Sequence, residues 1–353
     1  NTLSGVDKQV TDKPAPGSGQ NITYTITTSI PKVDYPGGAR IKRYEVVDQL
    51  DKRINKSTLA PVVKIVSGQQ ETVLADTTDY TLITAEGTKH NWATIQLTDE
   101  GRRKAAEARH NGNGETKVQV TLTATFDPKS VDLEGVLSNT AGLIPNDSPN
   151  FTWDPNNPGT TTDVPGIPTT PVLSKYGKVN LTKTGTDKLD DKTKYNGAQF
   201  QVYECTKTAS GATLRDGDPS TPTVDPLTIG GEKTFTTAGQ GTVTINSLRA
   251  NDYVDGVKKD ALTDEDYYCL VETKAPEGYT LQPDPIPFRV LATDAEAKVP
   301  TEVTVTDVPK NAGFRLPLTG ANGVIFLTVA GALLVVGGAV IAYANKRRHA
   351  AKH

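Results

Sequence analysis

Residues 267–279 read Tyr-Tyr-Cys-Leu-Val-Glu-Thr-Lys-Ala-Pro-Glu-Gly-Tyr. At the strand period of two, Tyr268, Leu270 and Glu272 share one face, so a carboxyl group ends an apolar row. The same pattern recurs on both sides of this segment. In GKVNLTK, Val179, Leu181 and Lys183 share a face; in TEVTVTD, Val303, Val305 and Asp307 do. Three ionisable groups are thus expected to point inward from a first, a middle and a last strand, the competing reading being exposed charges at strand ends. AQFQVYEC, TVTINSL and PFRVLA repeat the alternation.

Upstream, NITYTIT, RYEVVDQL, APVVKIV, DYTLIT and KVQVTLTATF alternate as well. The spacing predicts one helix, Glu100 to Arg109 after Thr98, charged and on the surface. With 31 Gly and 23 Pro, the composition favours strands and turns. The fold class expected is all-β: two tandem immunoglobulin-like sandwiches, followed by a short signal and one transmembrane helix. A Pro-, Asn-, Thr- and Gly-rich stretch from about Leu143 to Leu173 reads as a connector. The domains expected are residues 1–168, with the linker from about 145, then 169–314 and 315–353.

A formal charge of -3, from 41 acidic and 38 basic residues, excludes a global basic field, so no nucleic-acid partner is expected. His90, His110, His349 and His353 have no ligand spacing, so no metal and no cofactor are expected. No phosphate loop, nucleophile elbow or paired-carboxylate cleft stands out, and Asn21 and Asn180 match the glycosylation pattern by chance. The chain lacks Met and an apolar leader at its front, so it is expected to be a fragment missing its N-terminal part. Cys205 and Cys269, the sole cysteines, are expected to form a disulfide outside the cell, both facing away from the inward row.

Residues Ala321 to Ala344 are uncharged and long enough to span a bilayer as a helix, and Lys346, Arg347, Arg348 and Lys352 follow at once. Just before the span stand Leu316, Pro317, Leu318, Thr319 and Gly320. The order of pentapeptide, apolar helix and basic tail resembles the LPxTG sorting signal of Gram-positive surface proteins. That resemblance implies that a sortase cuts between Thr319 and Gly320 and passes the Thr319 carbonyl to an amine. The protein would then be exposed at the cell wall, touching the membrane only before sorting.

The segment Tyr268–Tyr279 resembles the E-box of pilins and collagen-adhesin B-type domains, with every family position filled. The family resemblance implies a spontaneous isopeptide bond between Lys183 and Asp307, promoted by Glu272. Burial favours the neutral amine and the protonated acid, which makes attack on the carbonyl intelligible. Many relatives use Asn where Asp307 stands, and Asn311 is the rival acceptor. In the first unit Val6, Lys8 and Val10 share a face, as do Tyr44, Val46, Asp48 and Leu50, and Leu137, Asn139 and Ala141. YTIT, YEVVDQL and SNTA resemble the isopeptide-forming middle domain of corynebacterial-type shaft pilins. This implies a second bond between Lys8 and Asn139, promoted by Asp48.

The resemblance implies a structural pilus subunit, not an enzyme, whose partners are sortase, neighbouring pilin subunits and peptidoglycan. Relatives accept the next subunit on the lysine of a W-x-x-x-V-x-V-Y-P-K motif, which this sequence lacks. The alternative is a monomeric wall-anchored adhesin with a host-surface ligand.

Overall fold

The computed structural model describes residues 5–12, 21–36, 40–112, 115–125, 135–146, 152–215, 224–292 and 301–310. The first half contains strands β1 (Val6–Thr11), β2 (Asn21–Ser29), β3 (Glu45–Leu50), β4 (Ala60–Ser67) and β5 (Gln70–Val73). They are followed by β6 (Tyr80–Glu86), β7 (Asn91–Leu97), helix α1 (Asp99–Asn111), β8 (Lys117–Thr125) and β9 (Gly135–Ile144). One sheet has the order β1-β2-β8-β4-β5; facing it, β9-β3-β7-β6 run side by side. Strict alternation decides which side of each strand is inside. In β2, Ile22, Tyr24 and Ile26 are buried, and Val118, Val120 and Leu122 of β8 meet them in one core with Val46, Leu50 and Ile95.

Helix α1 begins where Thr98 Oγ1 accepts the Gly101 N–H at 3.1 Å. Its charged side carries Arg103 between Glu100 and Glu107. The helix is not purely a surface element, because Ala105 and Ala106 are buried against the sheet. Gly101 permits this approach: a Cβ there would lie 1.9 Å from the Asp79 carbonyl oxygen.

After β10 (Ile167–Pro168), the long strand β11 (Val172–Gly185) begins the second half. Then come β12 (Gln199–Thr208), β13 (Gly211–Leu214), β14 (Phe235–Thr236) and β15 (Thr242–Arg249). A hairpin of β16 (Tyr253–Val254) and β17 (Val257–Lys258) precedes β18 (Tyr267–Lys274), β19 (Ile286–Phe288) and β20 (Thr301–Asp307). β15 and β20 flank the later part of β11, antiparallel and parallel respectively. The facing sheet has the order β13-β12-β18-β19, with β14 beside β12. Val179, Leu181, Phe200, Val202, Ile245, Leu270 and Val305 form its core.

Two features modify the connector reading. Residues 152–168 lie across the outer face of the first half instead of hanging free. Trp153 packs on Trp92 with ring centroids 5.1 Å apart, in a small apolar cluster with Val47, Ile144 and Val164. Gly142 lets the strap close in, since a Cβ there would lie 2.1 Å from the Pro165 carbonyl oxygen. Second, the two cores share a strand. Val172–Tyr176 pair with Gly135–Asn139 of β9, and from Tyr176 onward the same strand pairs with β15.

The Asp255–Gly256 turn of the β16/β17 hairpin also joins the halves. Both residues have positive φ, 50° and 77°, as a two-residue hairpin turn of the mirror-image type requires. The Asp12 N–H donates to Asp255 Oδ1 and the Asp255 N–H to Asp12 Oδ1, each at 2.9 Å.

No helix among the described residues is long and apolar enough to cross a membrane. The expected span at 321–344, the pentapeptide Leu316–Gly320 and the rival acceptor Asn311 lie outside the described residues.

Candidate functional site

Strand parity brings Lys183, Glu272 and Asp307 together in the second core. Lys183 and Asp307 lie on the adjacent parallel strands β11 and β20, Lys183 opposite Val305 and Asp307 opposite Gly185. Both face inward, two positions apart, within diagonal reach. Glu272 comes from β18 in the facing sheet, where it is paired with Phe200. Lys183 Nζ lies 3.0 Å from Glu272 Oε1 and also contacts Asp307 Oδ1, with all three side chains inaccessible to solvent. Among the described residues, Nζ, Glu272 Oε1 and both Asp307 carboxyl oxygens have no partner in hydrogen-bond geometry. Buried charged groups are ordinarily held by well-aligned hydrogen bonds, so an amine and two carboxyls that meet by ion-pair contact without that alignment mark an unusual place in the core.

Glu272 is held from behind: its Oε2 accepts the Gln282 N–H at 2.8 Å. Burial pushes the Glu272 carboxyl up, against the opposing pull of the Gln282 N–H and Lys183. The backbone around the cluster is fixed by Lys183 N–H to Gly241 O, 2.7 Å, and Thr186 N–H to Asp307 O, 2.9 Å. Phe200 supplies an apolar wall, its ring centroid 5.9 Å from Nζ.

The first core holds a second group with the roles of the sheets exchanged. Lys8 projects from β1, while Asp48 and Asn139 project from β3 and β9 of the opposite sheet. Asp48 is paired with Ala141, which places Asn139 diagonally beside it on the same face. Lys8 Nζ donates to Asp48 Oδ1 at 2.5 Å and stands 4.5 Å from the centroid of the Tyr24 ring. Burial lowers the Lys8 ammonium pKa more than Asp48 raises it. Burial likewise raises that of Asp48 against the pull of Lys8 and Asn139. The Asn139 amide faces Asp48 and the Tyr24 hydroxyl; burial pushes the Tyr24 hydroxyl pKa well up, and Asn139 opposes that rise as it does at Asp48. Among the described residues, Asp48 Oδ2 and both Asn139 amide atoms are buried without a partner in hydrogen-bond geometry.

Cys205 and Cys269 form a disulfide between β12 and β18, with Cα atoms 5.8 Å apart. Cys205 is opposite Tyr267 and Cys269 opposite Tyr203, so the link runs diagonally across one sheet. Sequence reasoning missed the Gln282 N–H behind Glu272 and the Tyr24 ring beneath Lys8. Tyr24 was legible as the middle of the Ile22–Ile26 row; the Gln282 contact depends on how the loop after β18 returns. Among the described residues no cluster of His, Cys, Asp and Glu suits a metal ion.

Comparison with known proteins supplies the family. A family model described as a prealbumin-like fold domain matches residues 177–308, and one for the LPXTG cell wall anchor motif matches residues 308–351. A type 1 fimbrial subunit from Actinomyces viscosus is 86% identical over 353 residues, covering 100% of this chain and 66% of that protein. A type 2 fimbrial subunit from Actinomyces naeslundii is 32% identical over 338 residues, covering 94% of this chain and 58% of that protein. The solved structure of the fimbrial protein FimP from Actinomyces oris is 85% identical. It superimposes with a TM-score of 0.80 over 88% of this chain and 69% of that one. Fold and anchor motif define a β-sandwich protein of the cell-wall surface. This chain belongs to the LPXTG-anchored fimbrial subunits of Gram-positive bacteria. It spans 66% and 58% of the length of the two curated relatives.

Proposed function

We propose that the chain is the structural part of a sortase-assembled surface fimbria, stiffened by two internal isopeptide bonds and having no enzymatic activity towards other molecules. The observation that carries the reading is the buried Lys183–Glu272–Asp307 cluster, in which the amine contacts both carboxyls out of reach of solvent. Within the dry pair, moving a proton from the ammonium to Glu272 leaves a neutral amine beside an acid without changing net charge. Lys183 Nζ then attacks Asp307 Cγ. With Asp307 as the carboxylic acid, a new C–N bond forms as the C–O bond to its hydroxyl breaks. Glu272 relays the proton, and one water leaves. The fold supplies the reactants at high effective concentration.

The Lys8–Asn139 pair follows the same course with Asp48 as relay. There the bond broken is Asn139 Cγ–Nδ2, and ammonia departs. Forming the two amides removes the buried Lys183 ammonium, one Asp307 oxygen and the Asn139 amide nitrogen, all of them costly to keep out of water. The domains are taken as residues 1–168, 169–314 and 315–353. Leu316, Pro317, Leu318, Thr319 and Gly320 form the sortase substrate, with Thr319 as the acyl donor to a neighbouring subunit or to peptidoglycan.

Intact-mass spectrometry of the oxidised chain should show the loss of one water and one ammonia, besides the two disulfide hydrogens. Digestion should recover Lys183 joined to Asp307 and Lys8 joined to Asn139. An unshifted mass refutes the crosslinks. Thr319→Ala in the producing bacterium should abolish high-mass ladders in cell-wall extracts; ladders that persist refute the sortase step.

A further inference from the structure

The inward row of β11 runs Val179, Leu181, Lys183 and then Gly185, which stands opposite Asp307. The slot a side chain would fill at Gly185 is occupied from elsewhere. A Cβ there would lie 2.6 Å from Tyr279 Cε1, 3.0 Å from Tyr195 Cε1 and 2.3 Å from Asp187 Oδ1. The two rings are buried and meet edge to face, centroids 5.5 Å apart. Their hydroxyls point outward to Asp187, an exposed residue that accepts both: Tyr195 through Oδ1 at 3.1 Å and Tyr279 through Oδ2 at 2.7 Å. The Leu189 N–H donates to the Tyr195 hydroxyl at 2.9 Å.

Tyr195 and Asp187 follow the strand that carries Lys183, and Tyr279 follows the strand that carries Glu272. The carboxylate therefore ties the two facing sheets together at the end where the reactive groups lie. We propose that Asp187, Tyr195 and Tyr279 form a lid over the Lys183–Glu272–Asp307 chamber, which excludes water and holds the Glu272 strand over the amine. This rests on the crosslinking reading given above. Condensation of an amine with a carboxylic acid releases water, and a chamber open to solvent would hydrate Glu272 and return it to its ordinary ionisation. The three residues act through Glu272 and touch no reacting atom, so they are positioning residues.

The test uses the full chain made by cell-free translation under oxidising conditions, sampled at intervals and digested to measure joined and free Lys183 peptides. Asp187→Ala and Tyr279→Phe remove the clasp while leaving the core aliphatic and aromatic packing in place. Each should slow joining on the order of tenfold. Each should also move the alkaline limb of the rate profile to lower pH, because Glu272, acted on electrostatically by Lys183 and Asp307, loses part of the desolvation that keeps it protonated. An unchanged rate overturns the lid. A slower rate with an unmoved pH profile also overturns it, since that is the signature of impaired folding alone. A wild-type chain that never joins Lys183 to Asp307 is a different result, which removes the crosslink itself.

Discussion

Glu272→Gln separates the promoter role from the packing role. The substitution keeps the volume and the acceptor for the Gln282 N–H, but removes the carboxyl that relays the proton. The variant should fold with its disulfide and remain unlinked between Lys183 and Asp307. The stability lost can be worked from chain entropy. The crosslink closes about 124 residues, of which the nested disulfide already ties off most of a loop, leaving about 60 to be constrained. Either limit gives about 4 to 5 kcal/mol. For a domain of this size that is roughly 10–20 °C in melting temperature. Differential scanning calorimetry of the wild type and the variant, both oxidised, measures the shift, while intact mass shows whether the expelled water has been retained. If the variant still joins the two residues, Glu272 is not the promoter. If it is unlinked yet melts with the wild type, the crosslink does not stabilise by constraining the unfolded chain.

Three other outcomes follow from the geometry. In the first core, burial draws the Lys8 and Asp48 pKa values towards each other, so the rate of joining Lys8 to Asn139 should peak between them. Below that window both groups hold their protons and the amine is blocked; above it no acid remains to relay one. A timed mass measurement that finds the maximum outside the interval between ordinary carboxylate and amine values contradicts the mechanism. Asn139→Ala should leave Lys8 reactive to an amine-labelling reagent once the chain is denatured, whereas the wild-type Lys8 should stay unlabelled; equal labelling refutes that bond. Reducing Cys205–Cys269, which closes a loop of 64 residues, should cost about 4 kcal/mol without releasing Lys183, as read by denaturant unfolding with and without reductant.

Both inward triads were legible because a β-strand has an integral period: once Val179 and Leu181 are placed inside, Lys183 has no other direction to point. The same reasoning located Asp48 and Asn139, although the diagonal offset between them depends on the β3/β9 register, which no local pattern states. What escaped sequence reasoning was mostly long-range. The Pro- and Gly-rich stretch around Trp153 has the composition of a linker, and only the apolar outer face of β3 and β7, with Val47 and Trp92 on it, turns it into a packed strap. Tyr195 and Tyr279 each look like ordinary core aromatics, and their common acceptor Asp187 lies 92 residues before Tyr279. The sharing of β11 by two cores was hidden because its alternation continues through both, with only a register shift between Gly177 and Val179.

That shared strand decides what a pull along the fibre would meet. With Lys8 fused to Asn139 and Lys183 to Asp307, a load entering at one end would bypass nearly all of both sandwiches and run through the backbone from 139 to 183 alone. Asn139 and Val172 are register partners, so the chain between them returns to its starting point, with Thr140–Ile144 held against β3 on the way. Paying out its about 33 residues, roughly 110 Å of reach, would require separating Val172–Tyr176 from β9, β9 from β3 and β10 from β9, besides peeling Trp153 off Trp92. Under such a load that segment would be the stretch left to yield, and it could re-form when the load is removed because both of its ends stay covalently tethered.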